Sequence, residues 1–191
     1  MKNYLLETKQ LPSFSKIKAS DIEPALDLCL QKNRELLNKL LKNTPEPNWD
    51  NFIQPLESAD NHLNRMWSPV SHMNAVVNTP ELRDAYNGSL PKLSEYSSEM
   101  GQNKDFFQAM QSIQNRQDEL DLNSAQRKSL NDALLDFKRS GIDLDEEKQE
   151  RLDGLSALGR AASIYQTNLP RIQTYIKGRH LTAETCATFG L

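Results

Sequence analysis

Apolar positions recur at helical spacing along most of this chain, and punctuating residues divide them into six predicted helices. The first carries Ile22, Leu26, Cys29, Leu36, Leu37, Leu40 and Leu41 on one stripe. Ser20-Asp21-Ile22-Glu23 predicts its start as a capping box, with Ser20 at the N-cap and Glu23 at N3. Pro24 then falls in the first turn, where its missing N–H costs nothing. Thr44-Pro45-Glu46-Pro47 ends the helix. Residues 1–19 show no period and read as an extended arm with Leu11 and Phe14 as apolar anchors.

The second helix opens near Asn48 or Trp49. Leu56, Leu63, Val70 and Val77 form one seven-residue row, and Phe52, Ala59, Met66 and Met73 form another. Together they make one apolar seam. Pro55 and Pro69 lie within it and predict a long helix kinked near Pro69. Thr79 at the N-cap and Pro80 at N1 open the third helix, whose face is Leu82, Tyr86, Leu90, Leu93 and Tyr96. Gly101 stops it. The fourth spans about 104–116, anchored by Phe106, Phe107, Met110 and Ile113. The fifth starts at Asn123 with Gln126 at the box position, buries Leu130, Leu134 and Phe137, and ends at Ser140-Gly141. A sixth is predicted from Asp145 to about Tyr165.

Composition supports the same class. The chain has 27 Leu against 11 Ile plus Val. β-Branched residues favour strands, and straight-chain residues lose little entropy in a helix. An all-α, multi-helix array of antiparallel helices is expected. Charged residues make up 26% and the net charge is −3, a polar and mildly acidic balance. Two cysteines, Cys29 and Cys186, exclude a disulfide scaffold. No apolar run approaches the ~20 residues of a membrane span, and the start has no secretory core, so a cytoplasmic location without membrane association is expected. The charge pattern changes near residue 156. Residues 1–155 hold 19 basic and 25 acidic side chains, and residues 156–191 hold four basic and one acidic. The expected organisation is an arm at 1–19, a helical domain at 20–155 and a divergent tail at 156–191.

Chemistry is absent from the sequence pattern. His62, His72 and His180 are the only histidines, and no His-Glu-x-x-His places two on one helix face. His62 and His72 lie roughly 80° apart around an ideal helix of ~3.6 residues per turn, which does not clamp one metal. Cys29 lies on an apolar stripe and reads as a small buried hydrophobe. No Gly-x-Ser-x-Gly and no Gly-rich phosphate loop occurs. Acidic pairs such as Asp118-Glu119 read as solvated faces. The doublets Arg127-Lys128 and Lys138-Arg139 sit in an acidic body and do not suggest nucleic-acid binding. The seam over 52–77 reads as internal core rather than a partner-helix site. No catalytic, cofactor-binding or metal residue is expected.

Several segments, in this order and spacing, carry a resemblance. They are Leu11-Pro12-Ser13-Phe14-Ser15-Lys16-Ile17, Asp21-Ile22-Glu23-Pro24-Ala25 and Trp67-Ser68-Pro69-Val70-Ser71-His72-Met73-Asn74. Pro80-Glu81-Leu82-Arg83-Asp84-Ala85-Tyr86, Leu90-Pro91-Lys92-Leu93-Ser94-Glu95-Tyr96 and Asp136-Phe137-Lys138-Arg139-Ser140-Gly141-Ile142 complete the set. The chain resembles, over about residues 10–152, the N-terminal part of the bacterial oligopeptidase A family, among the thimet-oligopeptidase and neurolysin zinc metallopeptidases. The resemblance implies the helical N-terminal wall of a neurolysin-like fold, beside a channel that admits short peptides. It also implies a zinc site formed much later in the chain by His-Glu-x-x-His and a further Glu, none of which is present here. Zinc is then bound outside this segment, and the chain is expected to be inactive alone. The resemblance fades after Leu152, which with the charge shift suggests a truncated or frameshifted product, or one half of a split gene. The expected partners are a separately encoded catalytic portion or further copies of the chain meeting through apolar surface. A stand-alone helical interaction module is the alternative.

Overall fold

The computed structural model describes residues 2–7 and 11–142. Among these residues the chain forms five α-helices and short helical turns, with no strand. The helices are α1 (Ala19–Asn43), α2 (Gln54–Val76), α3 (Pro80–Gly101), α4 (Lys104–Asn115) and α5 (Ser124–Arg139). The all-α class expected from the composition is therefore observed. The helix expected from Asp145 lies outside the described residues.

Helix starts follow local chemistry. The Thr79 hydroxyl accepts the Leu82 N–H at 3.3 Å, and Pro80 occupies the first position of α3. Asn123 and Gln126 close the expected box on α5, each side chain accepting the other's backbone N–H at 2.9 Å. Gly141, with φ 82°, turns the chain after α5, a conformation that glycine adopts without Cβ strain.

The start of α1 differs from the expected capping box. Helix begins at Ala19, and the Asp21 carboxylate, not that of Glu23, accepts an N–H from Lys18 at 3.0 Å. Ile17 and Ile22 flank this start at the N′ and N4 positions and are both buried in one core, a hydrophobic staple. The pairing of two isoleucines thus sets the boundary ahead of Ser20. Pro24 in consequence lies beyond the first turn, inside the helix.

The arm is anchored differently too. Two 3-10 turns, Tyr4–Leu6 and Phe14–Lys16, replace uniform extension over the described part. Leu5 and Ile17 are buried, while Leu11 is 91% exposed and Phe14 lies on the surface with its ring 5.6 Å from that of His72. The apolar side chains nearest α1 and α2 make the attachment.

The expected long second helix is continuous through Pro69. It is preceded by a π-helical turn, Trp49–Ile53. Pro55 is the second residue of α2, two beyond the end of this turn. A proline crowds the carbonyl four residues back and donates no N–H, and a widened preceding turn accommodates both defects. Phe52, Leu63, Met66 and Val70 of the seam are buried, but Val77 is exposed at the helix end. Leu90, expected on the α3 face, is also exposed, and Ser89 takes the buried position, its hydroxyl donating to the Ala85 carbonyl at 2.7 Å.

The buried side chains form two cores. One gathers Leu26, Leu30, Leu63, Met66, Val70 and Leu82 where α1, α2 and α3 pack. The other gathers Leu37, Phe52, Met110, Ile113, Leu130 and Phe137 around α4 and α5. α1 passes through both, and its buried Asn33 stands between Leu30 of the first core and Leu37 of the second.

Candidate functional site

A cleft of about 440 Å³ opens at this division, and all five helices contribute to it. Asn33 enters it from α1, Leu93 and Tyr96 from α3, Phe106 from α4 and Ala133 from α5. The π-turn and the first turns of α2 supply Trp49, Ile53, Leu56, Glu57, Asp60 and Leu63. The size is within the ~300–1,000 Å³ range of small-molecule pockets.

Local hydrogen bonds hold these walls. Asn48 and Asn51 cap the π-turn reciprocally, at 3.0 and 2.8 Å, which fixes Trp49 between them. The Arg116 guanidinium donates to the Pro47 carbonyl at 2.6 Å and ties the α1–α2 link to the end of α4. Arg127 donates to the Gln117 and Leu122 carbonyls at 3.1 and 2.8 Å and pairs with Asp118 at 2.6 Å, bracing the α4–α5 link. The Ser140 hydroxyl donates to the Gly101 carbonyl at 2.7 Å and joins the ends of α3 and α5. These contacts lie outside the cleft and tie together the elements that line it.

The polar groups of the cleft are few. Burial pushes the Tyr96 phenol above its ordinary range; a hydrogen bond with Asn33 counters this, and the nearby Asp60 carboxylate adds to it. The phenol is therefore a neutral hydrogen-bonding group at physiological pH. Arg34 lies over the Tyr96 ring at 5.5 Å and pairs with Glu99 at 2.7 Å. Glu57 accepts a long hydrogen bond, 3.4 Å, from Ser129 on α5, and Asp60 accepts one from Asn64 at 3.2 Å. The arrangement can hold an apolar group beside a cation.

The residues weighed for chemistry lie elsewhere. Cys29 is buried in the first core, and that burial raises its thiol above the ordinary value, while Lys32 pulls the other way. Such a thiol stays protonated and packs as an apolar group. His62 is half-buried on α2, and His72 is on the surface against Phe14. His180 and Cys186 lie outside the described residues. Among the described residues no group of three or more His, Cys, Asp or Glu side chains is placed to hold a metal ion. No helix among them is long and apolar enough to cross a membrane. Leu56, Ala59 and Leu63 were legible as seam positions. Their meeting with α3 and α5 carries no mark in any one segment, because the cleft joins residues far apart in the chain.

Comparison with known proteins places these observations in a family. Residues 26–149 match the model of the neurolysin/thimet oligopeptidase N-terminal domain. Oligopeptidase A of Haemophilus influenzae is 46% identical over 151 residues, which is 79% of this chain and 22% of that protein. Oligopeptidase A of Escherichia coli is 39% identical over 170 residues, 88% of this chain and 25% of its own length. The organellar oligopeptidase A of Arabidopsis thaliana is 30% identical over 151 residues, 79% of this chain and 19% of its own. The chain spans about a quarter or less of these relatives. A match of 170 residues reaches past residue 152 wherever it begins. With its five described helices, its two cores and these identities, the chain belongs to the neurolysin/thimet oligopeptidase N-terminal domain family and corresponds to the N-terminal portion of oligopeptidase A.

Proposed function

We propose that this chain acts as a non-catalytic helical wall of an oligopeptidase A-like zinc metallopeptidase that hydrolyses short peptides. The match of residues 26–149 to an N-terminal domain carries this reading. The described residues do not fit a zinc site, since no ligand cluster occurs among them. Zinc and the attacking water then belong to a catalytic portion, in the same or a second polypeptide, and no chemical step falls to the residues of this domain. Their task is mechanical: to form a surface against which a peptide and the catalytic portion are held. A division into an arm at 1–19, a helical domain at 20–155 and a tail at 156–191 accompanies this reading, as does a cytoplasmic location. Nucleic acid is not a partner in it.

The test is hydrolysis of a quenched short peptide with zinc present. The purified chain is assayed alone and then with a separately expressed catalytic portion of the Escherichia coli relative. No turnover alone and raised turnover on mixing is the expected result. Zinc-dependent turnover by the chain alone would overturn the assignment. A second reading, a stand-alone helical interaction module, is favoured by the apolar cleft. It predicts no effect on mixing and a specific non-peptidase partner.

A further inference from the structure

The cleft has a charge pattern that the wall function does not require. Its lining includes two charged side chains, Glu57 and Asp60, and no lysine or arginine. They stand three residues apart on α2, which puts them on the same face. Both are exposed at the rim, and among the described residues neither makes an ion pair. Below this rim the walls are aliphatic and aromatic. Met100 and Met110 lie within them, and methionine adapts its shape to varied apolar partners. Tyr96 and Asn33 form a hydrogen-bonded pair within the cleft.

We propose that this cleft docks an amphipathic helix of a partner protein whose apolar side chains enter between α2, α3 and α5 and whose lysines or arginines meet Glu57 and Asp60. Three observations choose this occupant. Helices form the walls, so the opening presents the groove in which a further helix packs by its apolar stripe. Both lining charges are acidic, so an acidic helix is repelled and a basic one is attracted. Carboxylates three residues apart on one helix suit basic groups repeated at i and i+3 or i+4 on the other. The proposal goes beyond the wall function and stands whether or not the chain joins a peptidase.

The probe is a labelled peptide of about 18 residues, five helical turns, with leucine on one face and lysine on the other. A second peptide carries glutamate in place of lysine. Fluorescence anisotropy with the full chain measures binding at low and high salt. Trp49 emission, isolated by Trp67→Phe, reports entry into the cleft, because Trp49 lines it and Trp67 does not. The Leu/Lys peptide is expected to bind, to shift Trp49 emission and to weaken with salt, and the Leu/Glu peptide to bind at least about tenfold more weakly. Glu57→Lys with Asp60→Lys should lower affinity by about tenfold or more, and Glu81→Lys with Asp84→Lys, which changes net charge equally on the exposed surface of α3, by less than about twofold. Ala133→Leu, a neutral change that fills the cleft, should weaken binding without altering charge, with circular dichroism checking the fold. Equal binding of both peptides, equal loss from both charge reversals, an unmoved Trp49 signal or no binding would each overturn the proposal.

Discussion

The two cores are built on different principles. The first is aliphatic and closed at its centre, where Ile22, Ala25, Leu26, Met66 and Val70 have no exposed surface, and its aromatic rings, including the stacked Trp67–Tyr86 pair, lie at its edge. The second buries the rings of Phe52 and Phe137 among its aliphatic side chains and borders the cleft. Phe106 packs edge-on to Phe137 at 5.1 Å and touches Phe52 at 6.0 Å, and Phe107 meets Phe137 at 5.6 Å. Phe106 and Trp49 remain half-buried because they also line the opening. Long α1, α2 and α3 give enough length to fill one core completely. The shorter α4 and α5 pack on the end of α1, the π-turn and the adjoining turns of α2 and α3, and the cleft opens between them. Stability therefore concentrates in the first core, and the capacity to hold something else lies at the edge of the second.

Substitutions that separate the cores should rank accordingly. Val70→Asp is expected to cost the most, more than about 4 kcal/mol, since it buries an unpaired charge in the closed core. Urea unfolding measures it, and Val77→Asp one heptad on, already exposed, should change the midpoint little. A small effect at Val70 would mean the first core is not closed. Phe106→Ala should cost about 2–3 kcal/mol, below the usual cost of a fully buried ring, because this side chain is half-buried. A loss as large as that at Val70 would erase the contrast between the cores.

Tyr96, at the boundary, gives a pH-dependent signal. Its phenol titrates above the unfolded value because of burial, so the folded state binds the proton more tightly. The resulting stability is fully present below the unfolded value near pH 10 and is lost as pH rises through the higher folded value. Tyr96→Phe should cost about 1 kcal/mol at neutral pH by removing the Asn33 hydrogen bond, and its alkaline loss of stability should be shallower than that of the parent chain. Parallel alkaline slopes in thermal melts would count against a buried phenol. The smallest effect is expected at Lys92, which bridges Glu23 and Asp27 at 2.7 Å to each between α1 and α3. Lys92→Met should change stability by about 0.5 kcal/mol or less, because exposed ion pairs gain little over solvated charges.

Local signals were legible wherever one segment contained the whole cause. Thr79-Pro80 and the Asn123/Gln126 pair stop or start a helix through atoms a few residues apart, and both occur where their spacing implies. The α1 start was misplaced because Ser20-x-x-Glu23 satisfies the same local rule as the observed Asp21 cap. The competition was decided by Ile17 and Ile22, whose burial depends on α2 and α3. Leu11, expected as an anchor, stands in solvent for a related reason, while Phe14 reaches His72 at the surface. An irregular arm has no period to reveal which apolar residues face inward.

From the sequence by itself, the family is read from the order of whole segments between residues 11 and 142, whereas the all-α class, the five described helices to within a few residues and the principal buried stripe of each are set by residues close together in the chain. The latter follow from side-chain entropy, capping and a 3.6-residue period, all of which act over a few residues. Tertiary structure alone decided that the apolar stripes divide into two cores at Asn33, that Leu90 and Val77 stay outside them, and that Glu57 and Asp60 rim a shared opening. Those outcomes depend on helix lengths and packing between residues as far apart as Asn33 and Ala133, and no local pattern encodes how much of a stripe its neighbours will cover.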